Sequence, residues 1–337
     1  MLCDPSHVTP ANLQGELDAI CAKLQIERIE DALRFPRFLQ IETTRLCNAR
    51  CPFCAVDIWD KSVPFMEADL FDKLAAEMAE HADWIFRVTV QKAGEPLLDR
   101  DIYQRVAKLK AIGIREVSMS TNASALTERN ARRLLEAGVD DVMLSIDSVR
   151  RETYEKLRVG LDYDRVLDNI RGFFRLRNEL RPEAVIRVRG VCFHDLEDPR
   201  QRDELLAWES FWGPLKGAQD RIYMKRAHTW GNQLNWDDKL DNVGDVFHPC
   251  IMPFSTMQIS SSGKLALCPQ DFDNIFDLGE VATRGVAEVW RDAGLKRIRA
   301  LHAAGARNQI EMCRGCTLYD EDISLEERKN PTRFAAL

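Results

Sequence analysis

The feature that most limits the fold of this chain is a regular alternation of strand and helix patterns through its first two thirds. Apolar segments that favour strands cover 38–42, 84–91, 115–120, 141–146, 184–193 and 221–227, and amphipathic segments that favour helices lie between them. Successive strands joined by helices pair in parallel, because the crossover helix returns the chain to the same end of the sheet. Six such units predict an α/β protein built on an open or partial (β/α)6 barrel of the TIM type.

The pattern changes near residue 232, where a polar and irregular stretch at 230–245 favours a linker. Two short strands at 256–260 and 264–268 then flank Ser262-Gly263, which predicts a β-hairpin, and a helix is expected at 285–303. We therefore divide the chain into an N-terminal helical segment, a barrel, a small hairpin-plus-helix unit and a C-terminal tail, at 1–37, 38–235, 245–318 and 319–337. The small unit is too short for a sufficient apolar core, so we expect a metal group to stabilise it.

Composition excludes two classes of partner. The formal net charge is -7 and the basic residues form no stripe, so we expect no nucleic-acid partner. No apolar run approaches the roughly 18 residues that a membrane span needs, so we expect no membrane-spanning segment. The N-terminus lacks the basic-then-apolar pattern of an export signal, and we expect a cytoplasmic protein.

The chain has ten cysteines, and three of them follow the first strand closely. Cys47, Cys51 and Cys54 have the spacing C-x3-C-x2-C. Disulfides are not expected in a reducing compartment, and three thiolates cannot by themselves complete a four-coordinate structural zinc site. They can bind three irons of a [4Fe–4S] cluster and leave the fourth iron open.

A second group of cysteines belongs to the small unit and consists of Cys250, Cys268, Cys313 and Cys316. Four thiolates are the full complement of one [4Fe–4S] cluster. They are also a complete set of ligands for a structural zinc ion, so ligand number alone leaves both possibilities open.

Polar residues follow every predicted strand of the barrel. In a parallel barrel the chemistry lies at the carboxyl ends of the strands. After the cysteine loop, these ends carry Lys92 to Pro96, Ser120 to Asn122, Ser145 to Asp147, Cys192 with His194, and Arg226 with His228. We therefore expect an active site at this rim.

The cysteine loop resembles that of the radical S-adenosylmethionine (SAM) superfamily, in its spacing and in the aromatic Phe53 before the last cysteine. The segment AGEP at 93–96 resembles the GGEP motif of that superfamily, with Ala93 where glycine is usual. The segment STN at 120–122 resembles its ribose-side strand, and 144–160 is similar to a segment of the members with SPASM or twitch extensions. The resemblance covers about 38–318.

This resemblance implies roles for individual residues. Cys47, Cys51 and Cys54 would ligate the cluster that binds SAM. The cofactor-binding residues would be Phe53 in the cysteine loop, Gly94 and Glu95 near the SAM amino group, Ser120, Asn122 and Ser145 near the ribose, and Arg158 at the carboxylate. Asp147 is either part of this site or an N-cap for a helix at 150–158.

The resemblance also implies that the small unit is a twitch domain, in which Cys250, Cys268, Cys313 and Cys316 bind an auxiliary [4Fe–4S] cluster. Zinc stays an alternative. The spacing of these four cysteines is similar to that of 2-deoxy-scyllo-inosamine dehydrogenase-type enzymes, which act on aminocyclitols. The cofactors implied are SAM and two [4Fe–4S] clusters, with a flavodoxin or ferredoxin as the reductant.

The function expected from this spacing is a radical SAM oxidoreductase of antibiotic biosynthesis. Its 5′-deoxyadenosyl radical would take a hydrogen from a carbinol carbon of a small carbohydrate-type substrate, and the resulting ketone would form as an electron passes to the auxiliary cluster. The alternatives are a redox-neutral epimerase or decarboxylase and, third, a peptide maturase.

Four residues are candidates for the catalytic step: Cys192, Arg226, His228 and Asp271. An epimerase needs a hydrogen-atom donor, and Cys192 at a strand end could supply one. The alternative for Cys192 is a buried apolar-like side chain, and the alternative for Asp271 is a cap of the hairpin loop. Arg226 and His228 face the substrate only if the register of the sixth strand places them there.

Overall fold

The computed structural model of the protein describes residues 10–193, 198–234 and 246–316, and its centre is one eight-stranded sheet. The strands are β1 (Phe38–Ile41), β2 (Arg87–Thr89), β3 (Glu116–Thr121), β4 (Asp141–Ser145), β5 (Val185–Cys192), β6 (Arg221–Arg226), β7 (Thr256–Ile259) and β8 (Leu265–Ala266). Their order in the sheet is β6-β5-β4-β3-β2-β1-β7-β8. The predicted tail at 319–337 and most of the predicted linker lie outside the described residues.

Helices cover one face of this sheet and connect its strands. They are α1 (Pro10–Leu24), α2 (Ala68–Ala79), α3 (Ile102–Ala111), α4 (Glu128–Glu136), α5 (Arg151–Leu157), α6 (Tyr163–Leu180), α7 (Pro199–Trp212), α8 (Met252–Ser255), α9 (Val286–Trp290) and α10 (Ala293–Ala303). Strands β1 to β6 pair in parallel in chain order. The predicted open (β/α)6 barrel is therefore confirmed. None of the helices in the described part of the chain is both long and apolar enough to cross a membrane.

The predicted hairpin is also present, but its first strand belongs to the barrel sheet. Strands β7 and β8 pair antiparallel, and β7 pairs in parallel with β1 over its whole length. Met257 and Trp290 of the small unit lie in the same apolar core as Leu39 and Val88 of the barrel. The small unit therefore completes the sheet of the barrel and shares its core.

The helix expected at 285–303 is two helices, α9 and α10. The break lies at Arg291 and Asp292, where the Asp292 side chain accepts a hydrogen bond from the Gly294 backbone at 3.1 Å and caps α10. An aspartate that bonds to the backbone two residues ahead competes with helix continuation, which explains the interruption.

Alternation along β5 separates two sets of side chains. Ile186, Val188 and Cys192 point towards the helix layer and lie in the apolar core. Arg187 and Arg189 point to the opposite face, which we call the inner face of the barrel. The inner face carries charged side chains, and Arg187 on this face pairs with Asp141 at 2.7 Å across β4 and β5.

A buried ion pair links α6 to the turn before β6. Arg177 on α6 forms two hydrogen bonds with Asp220, of 2.6 and 2.5 Å, and both residues are almost fully buried. Asp220 also accepts from the backbone of Ile186 at 2.8 Å and of Gly217 at 2.7 Å. One carboxylate thus sets the position of β5 relative to α6 and the turn before β6.

We expect Asp220→Ala to lower the free energy of unfolding by about 3–5 kcal/mol, because it leaves the Arg177 guanidinium buried without its partner. Urea unfolding of the purified protein measures this. The control is Arg175→Ala, which removes an exposed pair with Glu128 at 3.4 Å and should cost less than about 1 kcal/mol. Similar losses in the two variants would contradict this account of the bridge.

Candidate active site

The three clustered cysteines lie in the loop after β1, and their thiols are largely withdrawn from solvent. The Cys54 backbone donates to the Cys51 carbonyl at 2.9 Å, and the Ala49 backbone donates to the Cys47 sulfur at 3.5 Å. Burial raises the pKa of Cys47 to about 11 and that of Cys54 to about 12. Such thiols ionise readily only beside a strong positive charge, which the irons of a cluster supply. The donor set therefore fits a [4Fe–4S] cluster.

Among the described residues, no three His, Cys, Asp or Glu side chains stand close enough together to hold a single metal ion. In a four-iron cluster each thiolate binds a different iron, so its ligands lie farther apart than those of one tetrahedral ion. The spread of the sulfurs is thus compatible with clusters in both cysteine groups.

The AGEP segment after β2 packs closely on the start of the cysteine loop. Gly94 has φ of +65°, and a Cβ atom there would lie 2.5 Å from the Thr44 carbonyl oxygen and 2.8 Å from that of Leu46. The next residue, Glu95, donates its backbone N–H to Leu46 at 2.7 Å. Only glycine permits this approach. The preceding Ala93 has no such constraint, and its methyl group is buried in a small apolar cluster, which explains why alanine is tolerated there.

Glu95 joins the ends of β2 and β3. Its carboxylate accepts from the Thr121 hydroxyl at 2.7 Å, from the Asn122 backbone at 2.7 Å and from the Leu97 backbone at 3.1 Å. Burial raises the pKa of this carboxyl, although the three donors oppose the shift. The structure thus gives Glu95 a role in positioning the two strand ends, and its predicted contact with the SAM amino group stays a prediction.

The predicted ribose-side residues lie on the neighbouring strand ends. The hydroxyl oxygens of Ser120 on β3 and Ser145 on β4 are 3.4 Å apart. The Asn122 amide donates to Asn48 at 2.9 Å, and Asn48 donates to the Ser124 hydroxyl at 2.8 Å. Asn48, which lies inside the cysteine loop, was not among the residues selected from the sequence. Its position between two ligands is the signal that could have identified it.

Arg158 and Asp147 form one unit beside the cysteine loop. Two hydrogen bonds of 2.5 and 2.9 Å join the guanidinium to the carboxylate, and a third nitrogen lies 3.7 Å from the Cys51 sulfur. The guanidinium also lies over the Phe53 ring, 5.1 Å from its centroid. Asp147 therefore lies beside the cysteine loop and does not cap α5, whose N-cap is Arg150, and its part in binding SAM stays a prediction. Three of the five N–H groups of Arg158 are engaged, and two remain for an anionic ligand.

The candidate hydrogen donor Cys192 faces away from the inner face of the barrel. It is 1% exposed and lies in the apolar core beside the helix layer. This placement favours the buried apolar-like interpretation over a reaction with a substrate radical. Arg226 is paired in register with Cys192, but its side chain lies outside the described residues.

The two remaining catalytic candidates differ in their surroundings. Both carboxylate oxygens of Asp271 accept backbone N–H groups, from Leu267 at 2.9 Å and Ile275 at 2.8 Å, so Asp271 caps the loop after β8. His228 accepts from the Trp230 backbone at 3.2 Å. Burial and, to a smaller extent, the charges of Arg189 and Lys225 together lower its pKa to about 3, so the imidazole is neutral.

The four cysteines of the small unit come from three separate segments. Burial and the neighbouring cysteines raise the pKa of Cys268 and raise that of Cys313 to about 12. The Cys250 backbone donates to His302 at 3.1 Å, and Arg307 donates to the backbone of both His248 and Cys316. The resulting thiol cluster has the same electrostatic character as the loop after β1.

Two cations join the cysteine loop region to the loop after Cys268: Lys92, which the sequence places at the rim, and Arg45, which sequence reasoning did not select. Arg45, just before Cys47, donates to the Phe272 carbonyl and pairs with Asp273 at 3.0 Å. Lys92 is almost fully buried and donates to the same carbonyl at 3.4 Å. Both anchor the loop that follows Cys268 to the rim of the barrel, and only the fold reveals this proximity.

Comparisons with known proteins agree with this arrangement. Residues 41–179 match the Radical SAM superfamily, and residues 250–317 match the SPASM iron-sulfur cluster-binding domain. The GTP 3′,8-cyclase of Limosilactobacillus fermentum is 30% identical over 250 residues, which are 71% of this chain and 68% of that protein. A probable GTP 3′,8-cyclase of Methanothermobacter marburgensis is 25% identical over 295 residues, 77% of this chain and 93% of that protein.

One further curated relative matches over a shorter stretch, and solved structures match in fold. A probable GTP 3′,8-cyclase of Sulfurisphaera tokodaii is 32% identical over 215 residues, and this chain spans 62% of its length. Among solved structures, BtrN in complex with AdoMet and 2-DOIA has a TM-score of 0.57 at 16% identity, covering 85% of this chain and 98% of BtrN. Streptococcus suis SuiB bound to the precursor peptide SuiA has a TM-score of 0.62 at 16% identity, covering 87% and 73%. At 16% identity, the two solved structures support the fold alone.

The comparisons overturn one expectation. The prediction of a sugar or aminocyclitol dehydrogenase of antibiotic biosynthesis is wrong, because the curated relatives are named for a reaction of GTP. Cysteine spacing led to that prediction, yet spacing describes how a cluster is held and not what is bound beside it. The cofactor prediction is confirmed: the chain uses SAM and two [4Fe–4S] clusters.

We expect protein reconstituted without oxygen to hold about eight irons per chain, from two four-iron clusters. Replacing Cys47, Cys51 and Cys54 together with alanine should leave about four, because the second group keeps its own ligands. Iron and zinc analysis measures this. Cys21→Ala, which changes a buried cysteine of α1, is the control and should keep all eight. Zinc in place of the remaining iron would contradict the assignment of the second group.

We expect Arg158→Met to weaken SAM binding by about 10- to 100-fold while the iron content stays normal, which corresponds to losing a charged hydrogen bond. Anaerobic titration of the reconstituted enzyme with SAM measures the affinity. The control Arg165→Met removes an exposed arginine of α6. Unchanged affinity in Arg158→Met would show that Arg158 serves only Asp147 and the cluster.

The sequence motifs, the two groups of thiols and the domain matches agree on one assignment. The cysteine loop, the AGEP turn and the Arg158–Asp147 unit meet at the carboxyl ends of parallel strands, within a chain related along most of its length to curated enzymes. This chain belongs to the radical SAM superfamily.

Proposed function

We propose that this chain is a radical SAM enzyme that acts on a purine nucleotide of the GTP class. The observation that carries the proposal is the match to GTP 3′,8-cyclases, which in one case extends over 93% of the relative. The aligned part is 77% of this chain, which is more than the barrel alone at 38–235.

Aromatic side chains near the two cysteine groups support a planar substrate. Phe53 packs edge-on against Phe193 at 5.4 Å, and the Trp230 indole donates to the Phe53 carbonyl at 2.9 Å. Trp230 in turn lies 5.9 Å from the ring of Phe272, between centroids, and 5.1 Å from that of His228. Aromatic side chains are common stacking partners for nucleobases. This array runs from the SAM-side loop to the loop after Cys268.

The protein itself supplies position and protection for the reaction. When bound and reduced, the SAM-side cluster supplies the electron that cleaves SAM to methionine and a 5′-deoxyadenosyl radical. Glu95 fixes the two strand ends that carry the predicted ribose-side residues, and Arg158 is held ready for a carboxylate. Lys92 and Arg45 hold the loop after Cys268 over the rim, which helps to exclude water. A flavodoxin or ferredoxin as the external reductant stays a prediction.

We expect GTP to stimulate 5′-deoxyadenosine formation several-fold over SAM alone in anaerobic, dithionite-reduced enzyme, because the radical then has a hydrogen to abstract. GTP deuterated at C3′ should transfer its label to 5′-deoxyadenosine, which mass spectrometry detects.

The control reactions use the Cys47, Cys51, Cys54 triple variant, which should form no 5′-deoxyadenosine, and CTP, which lacks a purine. Failure of GTP to alter the rate, together with the absence of label from every ribose position, would contradict a GTP-class substrate. It would leave the family assignment intact.

A further inference from the structure

One arginine of the inner face, Arg189, has no acidic partner within 10–193, 198–234 and 246–316. The Nε atom of Arg189 is buried and makes no hydrogen bond among the described residues, and one of its terminal nitrogens lies 3.9 Å from the Met143 sulfur. A thioether is only a weak acceptor. No carboxylate of the described residues pairs with this guanidinium. Arg189 is half-buried, and a partly desolvated charge without a counter-charge carries a cost to the folded state.

Two other inner-face arginines of the sheet have acidic partners, which offset this cost. Arg187, two residues earlier on β5, pairs with Asp141 at 2.7 Å, and Arg87 on β2 pairs with Glu116 at 2.5 Å. Each partner lies on the adjacent strand. At Arg189 the adjacent strand offers Ser145 in register, and Tyr223 lies on the other side. Among the described residues, the adjacent strands thus supply a counter-charge to Arg187 and Arg87 but no carboxylate in register with Arg189.

A second cation lies near Arg189. Lys225 on β6 is in register with Val191, so alternation places it on the inner face, two residues nearer the rim than Tyr223. The charges of both Arg189 and Lys225 lower the pKa of His228, after the larger effect of burial, so both cations lie near this imidazole. The neutral His228 adds a polar group without adding charge.

We propose that Arg189, with Lys225 beside it, forms an anion-binding subsite on the inner face of the barrel that takes a phosphate group of the substrate. This inference rests on the proposed nucleotide substrate. The planar fork of an arginine matches phosphate oxygens, and lysine adds a point charge. The register partner of Arg189 is Ser145, one strand spacing of about 4.8 Å away, so the phosphate would be held next to the predicted ribose side of SAM.

The SAM carboxylate is also an anion, so the test must separate it from substrate. The experiment uses anaerobically reconstituted enzyme and measures the affinity of three probes by calorimetry: GTP, inorganic tripolyphosphate and SAM. The variants are Arg189→Met and Arg189→Lys. The control is Arg129→Met, which makes the same change at an exposed position on α4.

We expect Arg189→Met to weaken GTP and tripolyphosphate binding at least tenfold, with a smaller loss in Arg189→Lys and no change in SAM affinity. Arg129→Met should bind all three probes as the wild type does. The unfolding temperature of Arg189→Met should equal or exceed that of the wild type, because an uncompensated charge has been removed. A merely structural arginine would lower it.

The outcomes separate the subsite from the proposed function. Loss of SAM affinity with GTP and tripolyphosphate unaffected would overturn the subsite and assign Arg189 to SAM. Equal GTP affinity in all variants would overturn the subsite while leaving the GTP-class substrate standing. Tripolyphosphate binding that depends on Arg189, with no GTP binding by the wild type, would support the anion subsite and overturn the nucleotide. A lower unfolding temperature together with unchanged affinities would assign Arg189 a structural role.

Discussion

The pairing of β1 on both of its edges is the constraint on which the arrangement of this site depends. β1 lies between β2 and β7, and it is parallel to both. All three strands therefore end at the same edge of the sheet, where β1 leads into the first cysteine loop and β2 into the AGEP turn. Cys268 follows β8, which runs antiparallel to β7, and the contacts of Arg45 and Lys92 with Phe272 bring the loop after Cys268 back to this edge.

Contacts between loops refine this arrangement. Gly94 allows the AGEP turn to approach two carbonyl groups of the cysteine loop, and Glu95 then connects that turn to the end of β3. Arg45 and Lys92 both donate to Phe272, which fixes the loop after Cys268 to the rim. The partners in these contacts come from distant parts of the chain. The site therefore forms only when the sheet is complete.

Charge is distributed unevenly over the protein in a way that separates structure from binding. The Arg177–Asp220 pair is closed, and its carboxylate also accepts two backbone groups. The Arg158–Asp147 pair keeps two N–H groups for a ligand beside the SAM-side loop. Arg189 has no acidic partner among the described residues. The three arginines thus differ in how far a carboxylate satisfies their N–H groups. Arg177 is paired in the buried core, Arg158 keeps two N–H groups for a ligand, and Arg189 has no described carboxylate partner.

The sequence by itself determined the parts of this protein that local patterns encode. The alternation of strands and helices, the hairpin turn at Gly263 and the cysteine motif were all predictable, because each depends on residues close together in the chain. Only the tertiary structure decided that β7 joins β1, that Asp147 pairs with Arg158, that Cys192 faces the helices and that no described carboxylate pairs with Arg189. These depend on strand register and on which distant side chains meet. The substrate prediction was wrong for a related reason. Substrate recognition depends on side chains that the fold brings together, whereas the prediction used only the spacing of cysteines along the chain.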